Sequence, residues 1–109
     1  MPIMIGFAER RRELLDAELR RVAALLPSLG VERSYLTGDL AEGTVGVGSA
    51  LELVLVHEST EPFQRRPDFF VSHLKPEVET RFFVYTPAEF EALQGTDPLL
   101  RRATIAADA

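Results

Sequence analysis

The sequence predicts an α/β domain in which one mixed β-sheet packs against helices. Three observations predict it. Apolar patterns of helical period open and close the chain, and strand-like runs separated by helix-compatible segments lie between them. The third is the run from Ala50 to His57, which is apolar on both faces apart from Glu52, as in a central strand covered on two sides. A length of 109 residues suits one domain with one core, so residues 1–109 are read as a single unit.

The elements follow in order. Residues from about Phe7 to Leu26 form a long amphipathic helix, with Leu15, Leu19, Val22 and Leu26 at helical spacing and Leu14 and Ala23 widening the apolar stripe. Glu9, Glu13, Asp16 and Arg20 fall opposite, with Asp16 and Arg20 placed for an i,i+4 ion pair. Pro27 ends this helix because it has no amide hydrogen to donate. The run Arg10-Arg11-Arg12 is spread around the helix and reads as a solvated face. Val31 to Thr37 is the first strand, Gly38 the turn, and Asp39 to Glu42 a short helix closed by Gly43. Thr44 to Gly48 matches neither glycine-rich phosphate-binding pattern and reads as a flexible connector.

After the second strand the pattern is ambiguous. Pro67 to Leu74 has strand-like residues, yet proline also suits the first position of a helix. Val78 to Thr86 is a third strand. Thr86-Pro-Ala-Glu89 then starts a helix with a capping box, placing Phe90 and Leu93 on its buried side until Gly95. A last helix begins at Asp97-Pro98 and runs through Leu99, Leu100, Ala103 and Ile105.

Composition removes several functional classes. No cysteine is present, which excludes disulfides, thiolate zinc sites and cysteine nucleophiles. A net charge of −5 opposes general nucleic-acid binding, which needs a positive field to displace counterions from phosphate. No apolar run approaches the roughly 20 residues of a membrane-spanning helix, and Met1 to Phe7 has no basic region ahead of its apolar stretch. A cytoplasmic location is the expectation.

The stretch Ser34-Tyr-Leu-Thr-Gly-Asp-Leu-Ala-Glu-Gly43 followed by Ser49-Ala-Leu-Glu-Leu-Val-Leu-Val56 is the most informative part of the chain. It resembles the minimal nucleotidyltransferases of the DNA polymerase β-like superfamily. A second anchor is Val84-Tyr-Thr-Pro-Ala-Glu-Phe-Glu-Ala-Leu93 with Pro98-Leu-Leu-Arg-Arg102, and together they cover Leu29 to about Arg102. The resemblance implies a nucleotidyltransferase-like fold with a Gly-Ser turn that binds the terminal phosphates. It also implies two aspartates one residue apart on a strand, which share two magnesium ions. It favours a helix over residues 67–74.

This sequence departs from that pattern where the chemistry lies. Gly38 remains, but Asp39 stands at the serine position, Ala50 at the first aspartate, Glu52 at the second, and Arg81 at the third carboxylate. The turn of Gly38 and Asp39 is then a degenerate nucleotide-binding element, and Asp39 reads as a helix N-cap. Glu52 is the one retained carboxylate of the dyad and the candidate catalytic residue. No metal ligand set is complete, and no cofactor is expected. A carboxylate on a central strand needs compensation, so Glu52 and Arg81 are expected to pair, a fixed guanidinium replacing the missing cation.

Three functions compete. The first is a catalytically silent domain that binds a partner or a nucleotide. The resemblance implies a toxin–antitoxin-like two-component module whose partner is a HEPN-type helical protein; a homo-oligomer is the other partner. The second is an active enzyme using magnesium and ATP or another triphosphate, with Glu52, Glu79 or Glu42 in a rearranged metal site. The third is an α/β interaction domain that binds no nucleotide. Other constellations carry less. His57 and His73 lack a nearby carboxylate cluster, and Ser49, His57 and Asp68 form a triad only on paper, without a nucleophile elbow. Phe69, Phe70, Phe82 and Phe83 read first as core; an exposed pair would point to an interface.

Overall fold

The computed structural model describes residues 5–108. Helix α1 (Ile5–Leu25) leads into a 3-10 turn over Leu26–Leu29. Pro27 therefore closes the α-helix as expected, but the chain tightens by one further turn before Gly30 reverses it at φ 91°. Strand β1 (Arg33–Thr37), helix α2 (Asp39–Glu42) and strand β2 (Leu51–Val56) follow. Helix α3 (Arg66–Leu74), strand β3 (Thr80–Tyr85), helix α4 (Pro87–Leu93) and helix α5 (Pro98–Asp108) complete the order.

The three strands form one mixed sheet in the order β1-β2-β3, β2 running antiparallel to β1 and parallel to β3. The central position of β2 explains its composition. Leu51, Leu53 and Leu55 point to one face and join Leu15, Val22 and Leu26 of α1, Phe70 and Leu74 of α3, and Phe82 and Val84 of β3. Val54 and Val56 point the other way and meet Tyr85, Phe90 of α4, and Leu100 and Ala103 of α5. Both faces are covered from Leu53 to Val56, so those alternating side chains had to be apolar, and the half-buried Glu52 is the one polar residue of the strand. Tyr35 stacks on Phe90, with ring centroids 5.5 Å apart, and ties β1 to α4 on the second face.

The ambiguous segment is helical because one side of it is buried at four-residue intervals. Arg66, Phe70 and Leu74 all face inward, a spacing that a strand cannot place on one buried line. Lys75 ends α3 in the left-handed region at φ 47°. Arg66 is only 8% exposed and holds three elements together. Its guanidinium donates to Glu89 of α4 at 2.6 and 3.1 Å, to the Val84 carbonyl of β3 at 3.0 Å and to the Glu61 carbonyl at 2.8 Å. Glu89 also closes the capping box with Thr86 that the sequence predicts.

Helix α1 departs from its predicted pattern in two ways. Leu15, Val22 and Leu26 are buried, but Leu14 is 44% exposed and Ala23 is exposed, so the apolar stripe is narrower than expected. Glu18 is buried instead, because Arg21 donates to both its oxygens at 2.8 Å and the Glu77 amide donates to one of them. These donors hold its carboxyl below the ordinary range, Arg21 foremost. Asp16 pairs backwards with Arg12 at 3.6 Å, not with Arg20.

Candidate functional site

The candidate site lies where β1 ends, α2 begins and β2 starts. Antiparallel register sets Thr37 opposite Glu52, and parallel register sets Arg81 opposite it on the other side. Gly38 follows Thr37 with φ 80° and ψ −158°, a conformation essentially confined to glycine. Space demands glycine as well. A Cβ at this position would lie 2.4 Å from Glu52 Oε2 and 2.8 Å from its Cδ. The Glu52 carboxylate therefore rests directly against the turn.

Asp39 is the first residue of α2, whose N-cap is Gly38, so the expectation that Asp39 caps the helix is corrected. Its carboxylate turns to the loop beyond the helix, accepting from Ser49 Oγ at 2.6 Å and Thr44 Oγ1 at 3.0 Å. Both hydroxyl donors, Ser49 foremost, hold its carboxyl below the ordinary range. Ser49 Oγ accepts in turn from the Gly46 amide at 2.9 Å, and Arg11 Nε of α1 donates to the Ser49 carbonyl at 2.8 Å. The connector read as flexible is thus stitched at both ends. Nothing in the local pattern announced Ser49 and Thr44 as partners of Asp39. The one available signal was that all three carry side chains of complementary hydrogen-bonding type within eleven residues of chain.

The expected ion pair does not form. Glu52 and Arg81 are neighbours in register, yet Arg81 Nη2 donates to Glu79 Oε2 at 2.8 Å, and both of those side chains are more than half exposed. The Arg81 pKa is raised mainly by Glu79, with Glu52 the smallest contributor. The reason is solvation. A guanidinium that stays in water gains little by crossing to a second strand when a carboxylate two residues away on its own segment already meets it. Among the described residues, no hydrogen bond or ion pair engages the Glu52 carboxylate.

The magnesium-triphosphate set implied by the resemblance can be tested against these atoms. Magnesium takes near-octahedral oxygen ligands. Ala50 is 5% exposed and offers none, both Asp39 oxygens are held by hydroxyls, and Arg81 brings positive charge to the adjoining strand. Among the described residues, no three His, Cys, Asp or Glu side chains gather where they could hold a metal ion. The residues present do not fit two magnesium ions, and no reaction step is drawn through them.

The remaining candidates separate. Ser49 precedes β2 and His57 follows it, with the whole strand, about 20 Å at the rise of an extended chain, between them, so the Ser49, His57 and Asp68 triad is not assembled. His57 Nδ1 lies 3.2 Å from the Gly30 carbonyl and His73 Nδ1 lies 2.8 Å from the Phe69 carbonyl. Phe70 and Phe82 are core, while Phe69 is 41% exposed and packs against both histidine rings. Among the described residues, no helix is long and apolar enough to cross a membrane. Comparison with protein-family models, curated proteins and solved structures found no match for this chain.

Proposed function

We propose that this chain is a nucleotidyltransferase-like domain that is catalytically silent and acts by binding, its ligand a partner protein or a nucleotide. The observation that carries the reading is the arrangement around Gly38. A glycine turn after β1 receives the one remaining dyad carboxylate, Glu52, from the central strand, while the position two residues earlier is the buried Ala50. This layout supports a scaffold of that kind without its oxygen donors. Asp39 supports the same reading, since its carboxylate serves the loop through Ser49 and Thr44 and adds negative charge at the turn where a triphosphate would bind.

The setting we infer is a cytoplasmic two-component, toxin–antitoxin-like module in which a HEPN-type helical protein is the partner. The test has two arms. Incubation with labelled ATP, GTP, CTP or UTP and magnesium or manganese should give no nucleotidyl transfer above background, with Glu52→Ala indistinguishable from wild type. Transfer that is lost on Glu52→Ala would establish the active enzyme. In the second arm, a co-expressed HEPN-type protein should co-purify at fixed stoichiometry; a chain that binds neither such a protein nor a nucleotide by calorimetry would be a plain α/β interaction domain.

A further inference from the structure

Helix α1 carries a second apolar stripe that the core does not use. Phe7 is 48% exposed, Leu14 is 44% exposed, and Val47 of the loop before β2 comes up beside them at 56%. Phe7 and Leu14 are seven residues apart and so share one side of the helix, while the core takes Leu15, Val22 and Leu26 on another. With Arg10 and Arg11 these three side chains line a trough of about 260 Å³. Arg11 and Leu14 also line the concavity of about 460 Å³ that continues along α1 past Ala17 and Arg21 to Glu77 and Val78. From Phe7 to Arg21 the groove follows about 21 Å of helix, the length of roughly four helical turns.

Charge is distributed unevenly along it. At the far end Arg21 is neutralised by Glu18. At the near end Arg10 has no partner among the described residues, and Arg11 spends its Nε on the Ser49 carbonyl, which fixes the guanidinium at the rim with its terminal nitrogens free to donate. No acidic side chain lines the near trough, and Glu9 beside it is engaged by Arg12. The first turn of α1 holds no acidic residue, so the positive end of the helix dipole adds to the two guanidinium groups. A cationic, apolar hollow in a chain of net charge −5 calls for a convex, apolar and acidic occupant.

We propose that the α1 trough is the docking site for an amphipathic helix of a partner protein, its apolar side chains seated on Phe7, Leu14 and Val47 and its carboxylates over Arg10 and Arg11. A helix approaching with its C-terminal end at the arginines would add its own negative dipole end. The inference rests on the binding function proposed above and specifies which surface performs it.

The test titrates full-length protein with three labelled helical peptides of about 15 residues, enough for four turns. One has an apolar face edged by glutamates, one has the same face edged by lysines, and one keeps the glutamates but replaces the apolar face with serine and glutamine. The glutamate-edged amphipathic peptide should bind roughly tenfold tighter than either control, about 1.4 kcal/mol. Leu14→Glu and Arg10→Glu should each remove most of that preference, and salt should weaken the Arg10-dependent part. Both sites are exposed, and an unchanged thermal melt shows that the variants fold. Amide shifts should map to Phe7, Leu14 and Val47. Equal binding of glutamate- and lysine-edged peptides, or shifts centred elsewhere, overturns the proposal. So does a wild-type dimer in sedimentation that Leu14→Glu dissociates, which would assign the trough to a second copy, or Phe7-dependent binding to phosphatidylserine vesicles. Nucleotidyl transfer in the assay above would overturn the silent-domain reading while leaving this titration to judge the trough.

Discussion

The two ends of β3 treat an arginine–glutamate neighbourhood in opposite ways. Near its C-terminal end, Arg66 is buried and engages both oxygens of Glu89 as well as the Val84 and Glu61 carbonyls. Near its N-terminal end, Arg81 faces Glu52 across the register but stays in solvent and takes Glu79. Proximity of opposite charges is common to both. What differs is desolvation: a guanidinium withdrawn from water must find acceptors for its donors, whereas one left in water accepts whichever carboxylate is nearest. The clamp is consequently structural, and Glu52 is left facing Gly38 without a fixed cation.

The comparison can be broken most decisively at the clamp. Arg66→Ala should lower stability by about 2–3 kcal/mol, less than a fully buried pair because Glu89 keeps 40% of its side-chain exposure. Chemical denaturation of Arg66→Ala, Glu89→Ala and the double variant should give a coupling energy above about 1 kcal/mol. A coupling near zero would make the two ends of β3 alike.

At the other end the turn, not the charges, is expected to matter. Gly38→Ala should cost about 1–3 kcal/mol through its backbone conformation alone. Glu52→Ala in the same chain should recover only the part due to the clash with the carboxylate. Full recovery in the double variant would show that contact with Glu52, and not φ, makes glycine necessary.

Acid acts on the clamp through Glu89. Arg66, then the Thr86 amide, hold the Glu89 carboxyl below its ordinary value of 4.5. Because the folded pKa is depressed, this contribution is complete above that value and disappears as pH falls through the lower folded pKa. Glu18, lowered chiefly by Arg21, acts in the same direction. Melting temperatures should therefore fall on acidification below about pH 4.5, and Glu89→Gln should shallow that slope. The smallest effect belongs to Arg81→Ala, whose stability should match wild type and whose coupling with Glu52→Ala should vanish within error. A measurable coupling there would restore the ion pair expected from the sequence.

Element placement was largely legible because its signals are local. Pro27, the Thr86–Glu89 capping box and the two-sided run of β2 each act within one turn or one strand, and each stands where the pattern put it. Residues 66–74 needed the interior to decide between helix and strand, since Phe69, Phe70 and Val71 suit either until Phe70 and Leu74 have a core to enter. At the candidate site, the pattern placed Gly38 in the turn after the first strand and Glu52 on the second, while their contact came from the fold. The role of Asp39 was not legible, because its partners Ser49 and Thr44 arrive by the path of a loop that has no period to read.

By itself, then, the sequence determined the order of helices and strands, the central position of β2 and the residue identities Ala50, Glu52 and Arg81 on and beside it. These follow from backbone chemistry, alternation and residue identity, which do not depend on what lies across the fold. Tertiary structure alone decided where the charges went. It buried Arg66 and Glu18, left Arg81 and Leu14 in water, and tied Asp39 to its own loop. The strength of a charge pair depends on how much water surrounds it, and that is a property of the packed molecule.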